Sequence, residues 1–121
     1  MGQSPGRQTG PALEAMFRFM LWLVPAIGKF PRSQKFLLGD RLQTTALDVL
    51  ELLIEATYTC NRGSILSQAH LGLEKFRAMV RLAMALKHFA RQRYEYAARS
   101  IDDAGRLVGG WRKANDAAAE G

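Results

Sequence analysis

The sequence contains little cysteine and little proline: one cysteine, Cys60, and four prolines in 121 residues. A single cysteine excludes a disulfide within the chain and cannot supply the thiolate ligands of a structural zinc site. No secretory signal peptide is evident, so we expect the protein to reside in the reducing cytoplasm. The scarcity of proline, together with runs rich in alanine, leucine and arginine, favours an all-helical protein.

The motifs of several enzyme classes are also missing. The sequence has no nucleotide-binding GxxxxGKS/T loop, no GxGxxG ahead of a helix, no HExxH and no Glu-x-x-His pair. His70 and His88 are the two histidines, and they are too far apart to share a metal ion within one chain. The neighbouring acids Asp102 and Asp103 point in different directions on a helix. We therefore expect no enzyme activity, no cofactor and no metal; an enzyme or metal protein is the least favoured alternative.

No hydrophobic run reaches the length of about 20 residues that a membrane-spanning helix needs. The most apolar stretch, Ala15–Ile27, is shorter and contains Arg18 and Pro25. It predicts a buried helix, and we expect no membrane partner.

The most informative stretch that is present runs from Pro31 to Ala56. Its apolar residues recur at steps of three and four, which is typical of an amphipathic helix. One apolar row is formed by Leu38, Leu42, Ala46, Val49, Leu53 and Ala56, and a second by Leu47, Leu50, Ile54 and Tyr58. A helix with two apolar rows needs neighbours on two sides, so it is expected either at the centre of a bundle or at a subunit interface.

The same spacing predicts three further helices. Helix one is expected from Pro11 to about Phe30, helix three from about Leu66 to Phe89, and helix four from Arg93–Tyr96 to about Ala114, while helix two is capped by Ser33 and ends near Cys60. Pro25 is expected to kink helix one or to loosen its last turn. Gly105 and Gly109 on helix four predict a close approach by another backbone.

Four helices with short connections predict an antiparallel up-and-down four-helix bundle. We expect this bundle to occupy residues 11–115. A disordered leader is expected at residues 1–10, which are rich in small and polar residues, and a frayed tail at residues 116–121.

Positive charge is concentrated in the second half of the chain. The net charge is +6 at pH 7, and the isoelectric point is about 10.0. Residues 61–121 contain eleven basic and six acidic side chains, whereas residues 1–60 contain six and five. This asymmetry predicts a polyanionic partner.

Basic side chains also repeat along the two later helices. A charged stripe on helix three is formed by Glu74, Arg77, Arg81, His88 and Arg91, and a basic row on helix four by Arg99, Arg106 and Lys113. Because the two helices of a hairpin lie side by side, the rows could merge into a surface that binds a phosphate backbone, with affinity that falls as salt rises.

A competing interpretation is a structural bundle whose charges only keep it in solution. Asp102, beside Arg99 and Arg106, is interpreted as a surface ion pair of little energy rather than as part of a catalytic pair. The aromatic residues Tyr94, Tyr96 and Trp111 do not decide between the two interpretations, because they could stack on bases or pack in the core.

Four segments together resemble a known family. They are PRSQKFLLGDRLQ, LDVLELLIEA, LEKFRAMVRLA and YEYAARSIDDAGRLVGGWRKA. Their order and spacing are similar to those of the accessory variability determinant (Avd) proteins of diversity-generating retroelements. These are related to the four-helix-bundle proteins encoded in ribosomal-RNA intervening sequences. The resemblance covers about Leu13 to Ala114, and the leader lies outside it.

The resemblance implies a four-helix bundle that assembles into a ring-like homopentamer with a positively charged surface. It implies association with a reverse transcriptase and with RNA or cDNA, in support of mutagenic retrohoming, and no catalytic centre. A pentamer would explain why helix two has a second apolar row and why helix four tolerates Gly105 and Gly109, whose helix propensity is low. The alternative is an RNA-associated bundle of the intervening-sequence type, which has no reverse transcriptase partner.

Basic residues that match the family pattern are the candidate contacts to nucleic acid or partner. Arg77 and Arg81 are the strongest candidates, and the match extends to Arg32, Lys35, Arg41, Arg106, Arg112 and Lys113. Arg91 and Arg99 join them from the basic stripes. These ten residues form the predicted binding set.

Overall fold

Four long helices make up the fold. The computed structural model describes the backbone of residues 3–120 and the side chains of residues 10–118. The helices are α1 (Gln3–Gly28), α2 (Asp40–Thr57), α3 (Gly63–Ala85) and α4 (Arg91–Glu120), and the short turns Arg32–Gln34 and Lys35–Gly39 lead from α1 into α2. The described residues include no β-strand, so the predicted all-α class is confirmed.

The helices close into one bundle. Each long helix packs against the helices that precede and follow it, and α1 packs against α4. Because the connections between consecutive helices are short, each helix runs antiparallel to its neighbours in the sequence. The architecture is thus an up-and-down four-helix bundle.

The core is built from the apolar rows that the spacing predicts. Buried residues include Leu42, Ala46, Val49, Leu53 and Ala56 of α2, Leu66, Ala69, Leu73, Phe76, Val80 and Ala83 of α3, and Ile101, Ala104 and Val108 of α4. On α1 the inward position is Leu23, whereas Val24 is 44% exposed. Phe19 of α1 meets Phe76 of α3 edge to face, with 5.5 Å between ring centroids, so aromatic packing crosses the centre of the bundle.

Glycine permits a close approach between α2 and α3. A Cβ atom at Gly72 would lie 2.7 Å from Cγ2 of Val49, so a larger residue there would require the Val49 side chain or the backbone to shift. Gly105 and Gly109 differ, because among the described residues no atom apart from their chain neighbours and the nearby backbone of their own helix lies within 4 Å of the position that their Cβ would occupy. Both face open space, so the predicted close backbone approach is not found within this chain.

The break in α1 lies at Gly10. Its φ of 68° and ψ of 165° are not helical, and glycine adopts this region at no steric cost. Pro25 lies in the last turn of α1, where the backbone keeps helical dihedral angles. The sequence predicts disorder for residues 1–10; residues 1 and 2 lie outside the described part of the chain, and that disorder stays a prediction.

The connection from α1 to α2 starts at Pro31. Its carbonyl oxygen accepts hydrogen bonds from the amides of Gln34 and Lys35, each at 2.9 Å. Pro31 is therefore the N-cap, with φ of −54° and ψ of 146°. The prediction that Ser33 caps this helix is wrong, because Ser33 already lies inside the first turn and no side chain makes a capping hydrogen bond there.

Helix α3 ends earlier than its apolar pattern predicts. Lys87 has a φ of 65°, its amide donates to the carbonyl of Met84, and the amide of His88 donates to the carbonyl of Ala83. These are the two hydrogen bonds of a Schellman motif. The predicted end at Phe89 is wrong because the motif closes the helix at Ala85.

Helix α4 is longer than predicted at both ends. It begins at Arg91 and continues to Glu120, whereas the sequence predicts a start at Arg93–Tyr96 and an end near Ala114. Alanine is the strongest helix former, and the alanines at 117–119 account for the extension. The predicted fraying of residues 116–121 stays a prediction, and Gly121 lies outside the described residues.

One stretch of α1 is long and apolar enough to cross a membrane by length and composition alone, so the expectation that no hydrophobic run reaches that length is wrong. This stretch, Gly10–Gly28, has a mean hydropathy of 1.2, and 44% of it is buried. The core helix of a bundle meets the same criterion. Met16, Phe19 and Leu23 indeed belong to the core, as the sequence predicts.

Candidate nucleic-acid interface

The ten predicted basic residues fall into three groups. Arg77 and Arg81 lie on α3 and Arg99 and Arg106 on α4; Arg32, Lys35, Arg41 and Arg91 lie at one end of the bundle; Arg112 and Lys113 lie near the other end. We call the first group the basic seam. The prediction that His88 and Arg91 belong to helix three is wrong. Because α3 ends at Ala85, His88 lies in the connection and Arg91 begins α4.

An ion pair between α3 and α4 sets the register of the basic seam. Nη1 of Arg77 donates to Oδ1 of Asp102. Arg81 lies one turn further along α3, and since the helices are antiparallel it comes opposite the turn of α4 that carries Arg99. Arg81 and Arg99 are therefore at the same level of the bundle, on adjacent helices.

Arg77 is balanced by acids of its own chain. Besides its contact with Asp102, its Nε lies 3.5 Å from Oε1 of Glu74. The hydrogen bond to Asp102, reinforced by the charges of Asp102 and Glu74, raises the pKa of Arg77 above its usual value. The predicted pairing of Asp102 with Arg99 and Arg106 is wrong, because Asp102 faces α3.

Two other members of the predicted set have acidic neighbours on the same helix. Nη2 of Arg106 donates to Oδ1 of Asp103 at 2.6 Å, and Nη1 of Arg91 lies 3.9 Å from Oε2 of Glu95. All four side chains are at least half exposed. Exposed pairs of this kind contribute below about 1 kcal/mol, so an incoming anion can replace the carboxylate at small cost.

The remaining seven residues form no ion pair with any residue that the structure describes. They are Arg32, Lys35, Arg41, Arg81, Arg99, Arg112 and Lys113. All are exposed or half-buried. Their charges are thus not neutralised within the described chain, and their N–H groups can donate to an external anion.

The end of the bundle that carries Arg32 and Lys35 also exposes apolar side chains. Phe36 and Leu37, in the π-helical turn Lys35–Gly39, are 67% and 64% exposed. Nearby, Phe30 packs edge to face on Phe89, with ring centroids 5.0 Å apart. The α1–α2 and α3–α4 connections therefore meet at this end.

The aromatic residues near the interface lie at the edge of the core: Tyr94 and Trp111 are partly buried, and Tyr96 is 38% exposed. Tyr96 packs on Trp22 at 4.6 Å between ring centroids, and Tyr94 packs against the buried cluster. Trp111 also packs against the buried cluster, and the guanidinium of Arg62 lies 5.6 Å from its ring centroid at the end opposite Phe30. Arg62 is not among the residues predicted from the sequence. A signal for it exists: Arg62 lies just before α3 and Trp111 lies late in α4, and antiparallel packing of these two helices brings both positions to the same end of the bundle.

A second exposed surface is apolar and begins on α1. The flank of α1 toward α4 carries Trp22, which packs on Tyr96. Phe17, Leu21 and Val24 lie on the opposite flank, toward α2, and are 52%, 65% and 44% exposed. They follow one another at steps of four and three, which places them on one side of the helix.

The same surface continues on α2. On that helix, Asp48 and Leu52 line a small cavity with Gln68 of α3. Leu47 and Ile54 lie on the other flank, toward α1, and are 39% and 42% exposed. Together with Phe17, Leu21 and Val24 they form what we call the apolar face. It contains members of the second apolar row that the sequence predicts for this helix.

The described residues include no group of three or more metal-ligating side chains. Cys60 is exposed in the connection between α2 and α3. His88 is half-buried, its Nε2 atom is buried without a hydrogen-bond partner in the described structure, and its ring lies 5.6 Å from that of Phe30. The surface features available for binding are therefore the exposed basic residues and the apolar face described above.

Comparison with known protein families identifies the family of this chain. A family model described as bAvd-like matches residues 13–115, which span all four helices of the bundle except the first part of α1 and the last residues of α4. No curated protein and no solved structure shows significant similarity to the chain. The match covers most of the 121 residues. The chain belongs to the bAvd-like family.

Proposed function

We propose that this protein is a non-catalytic, cytoplasmic accessory protein of a diversity-generating retroelement. In this role it binds the reverse transcriptase of the element and its RNA or cDNA, and it supports mutagenic retrohoming. Two facts support the proposal: the chain belongs to the bAvd-like family, and its later helices expose cations that no described carboxylate neutralises. The second fact carries the proposal, because it supplies the chemistry of a polyanion contact.

The basic seam is the proposed contact to the phosphate backbone. Arg81 and Arg99 lie at the same level on adjacent helices and are exposed. Consecutive phosphates of one strand can therefore meet donors from both helices, and each contact releases counterions from the nucleic acid. Such contacts position the strand without reading its sequence.

Arg77 takes part in a different way. Its guanidinium is held by Asp102 and Glu74, so a phosphate must displace or share these carboxylates. Arg77 therefore contributes less affinity than Arg81, although the sequence ranks the two together.

A homo-oligomer is part of the proposal. The apolar face presents five aliphatic or aromatic side chains that are between 39% and 65% exposed. Contiguous apolar surface of this kind marks an interaction site. We propose that a second copy of the chain covers it in a ring, with five subunits implied by the family resemblance.

The test of nucleic-acid binding is a filter-binding assay with a structured RNA at several salt concentrations. We expect Arg81→Gln combined with Arg99→Gln to weaken binding and to reduce the slope of log affinity against log salt by about 1 to 2. Lys29→Gln combined with Lys75→Gln is the matched control. It removes two exposed cations from other parts of the surface and should leave the slope closer to that of the wild type.

Equal losses in the two double variants would overturn the assignment of the seam, because net charge alone would then explain binding. The reverse transcriptase is tested separately by co-purification with the enzyme from the same retroelement. RNA binding without any retained reverse transcriptase would instead favour the intervening-sequence type of bundle.

A further inference from the structure

A cavity of about 810 Å³ opens at the end of the bundle where α1 begins and α2 ends. Its walls are formed by the backbone around Gly10, by Tyr58, by Arg62, and by Arg106 and Trp111 of α4. At this end of the bundle the backbone of Gly10 leaves the helical region, with φ of 68° and ψ of 165°. The volume lies within the range of about 300–1,000 Å³ that small-molecule sites occupy.

One wall of the cavity combines a cation with an aromatic ring. The guanidinium of Arg62 lies 5.6 Å from the centroid of the Trp111 ring. Its Nε donates a hydrogen bond of 2.9 Å to the carbonyl of Thr59. The side chain is therefore held in place by two contacts, and its terminal amino groups are left to meet a ligand.

The electrostatics of the cavity favour an anion. Arg62 and Arg106 both line it, and none of the described lining residues is acidic. Arg106 is partly balanced by Asp103, which lies 2.6 Å away, but that pair is exposed and exchanges easily. Arg62 has no acidic partner among the described residues.

The rest of the lining is apolar or aromatic. Leu107 and Trp111 come from α4, and Tyr58, which is 69% exposed, stands at the mouth. Aromatic side chains offer flat surfaces on which a nucleobase stacks, and one such contact is worth about 1–3 kcal/mol. Two arginines beside flat rings match a ligand with a planar base and a phosphate.

We infer that this cavity binds one nucleotide unit, with the base against the aromatic wall and the phosphate between Arg62 and Arg106. This goes beyond the proposed function, because Arg62 and Trp111 lie outside the basic seam and the ligand is a single unit rather than a strand backbone. The unit has two possible sources, a free nucleotide or the end of a single strand, and both present the same chemistry.

The experiment uses tryptophan fluorescence as a local reporter. The chain has two tryptophans, so Trp22→Phe leaves Trp111 as the only one. We expect adenosine 5′-monophosphate to quench Trp111 saturably, while adenosine and inorganic phosphate each bind at least tenfold more weakly. Calorimetry with the wild-type full chain repeats the titration, so the result does not depend on the folding of the Trp22 variant.

Arg62→Gln should weaken binding of adenosine 5′-monophosphate about tenfold, whereas Lys75→Gln, at an exposed position of α3 outside both the cavity lining and the basic seam, should leave it unchanged. A short oligoribonucleotide with a 5′-phosphate is then added as a competitor of adenosine 5′-monophosphate. Competition identifies the end of a single strand as the ligand, and no competition identifies a free nucleotide. The inference is overturned if neither probe gives saturable binding, or if Arg62→Gln has no effect. Retention of structured RNA, measured on the same variants, reports on the basic seam separately.

Discussion

The apolar face on α1 and α2 and the basic seam on α3 and α4 are both exposed in a single chain, yet their chemistry is opposite. On the apolar face, Leu21 is 65% exposed and Phe17 is 52% exposed. On the basic seam, Arg81 and Arg99 are exposed. Water solvates the seam readily, whereas the apolar face gains free energy when another surface covers it.

This difference supports the proposal that the two surfaces meet two kinds of partner. Burial of apolar area is favourable with any protein surface that fits, including another copy of the chain. The seam gains from phosphate, and that gain is lost in salt. One bundle can therefore use α1 and α2 for assembly and leave α3 and α4 to nucleic acid.

The largest expected effect comes from comparing a substitution in the buried side of α2 with one on its exposed side. Leu53 is fully buried, so Leu53→Ala should lower the free energy of unfolding by about 2–5 kcal/mol. Glu51→Ala, on the exposed side of the same helix, should change it by about 0.5 kcal/mol or less. Denaturant titration followed by circular dichroism measures both. Equal midpoints for the two variants would show that the buried face of α2 is wrongly assigned.

A second prediction tests the apolar face directly. Ile54→Lys places a charge in the apolar surface between α1 and α2 and should reduce the mass of the native assembly toward that of the 13.5 kDa chain. Light scattering measures the mass, and circular dichroism checks that helicity is kept. Gln68→Lys adds the same charge at an exposed position of α3, on the flank of α2 away from the apolar face, and it should leave the mass unchanged. An unaltered mass in the Ile54 variant would assign assembly to another surface.

Periodicity in the sequence predicts the faces of each helix, because side chains three and four apart share one side. It identified Leu53 as buried, and it identified Ile54 as part of a second apolar row that a single chain leaves exposed. Periodicity cannot predict which side chains meet across helices. The pairing of Arg77 with Asp102 depends on the register of α3 against α4, which the packing of the whole bundle sets.

The ends of helices were harder to predict than their faces. Lys87 closes α3 in a left-handed conformation that glycine usually occupies, so composition gave no signal for the break. The cavity wall of Arg62 and Trp111 was missed for a related reason. The two residues are 49 positions apart in the sequence, and only the antiparallel packing of the start of α3 against the end of α4 brings them together.

The smallest expected effect concerns Asp102, the acid that pairs with Arg77 of the basic seam. Asp102→Asn removes the carboxylate that holds Arg77 and should raise the affinity for structured RNA by about two- to fivefold, as expected for an exposed pair worth below about 1 kcal/mol. Filter binding at fixed salt measures the change, and the free energy of unfolding should fall by less than about 1 kcal/mol.

Asp116→Asn is the matched control for this last change. It alters the net charge by the same amount at an exposed position of α4, where no described cation forms an ion pair with the acid. If both variants bind RNA equally well, the gain comes from net charge alone. A gain confined to Asp102→Asn means that Asp102 competes with phosphate for Arg77, because only that variant removes one of the two carboxylates that lie against the guanidinium.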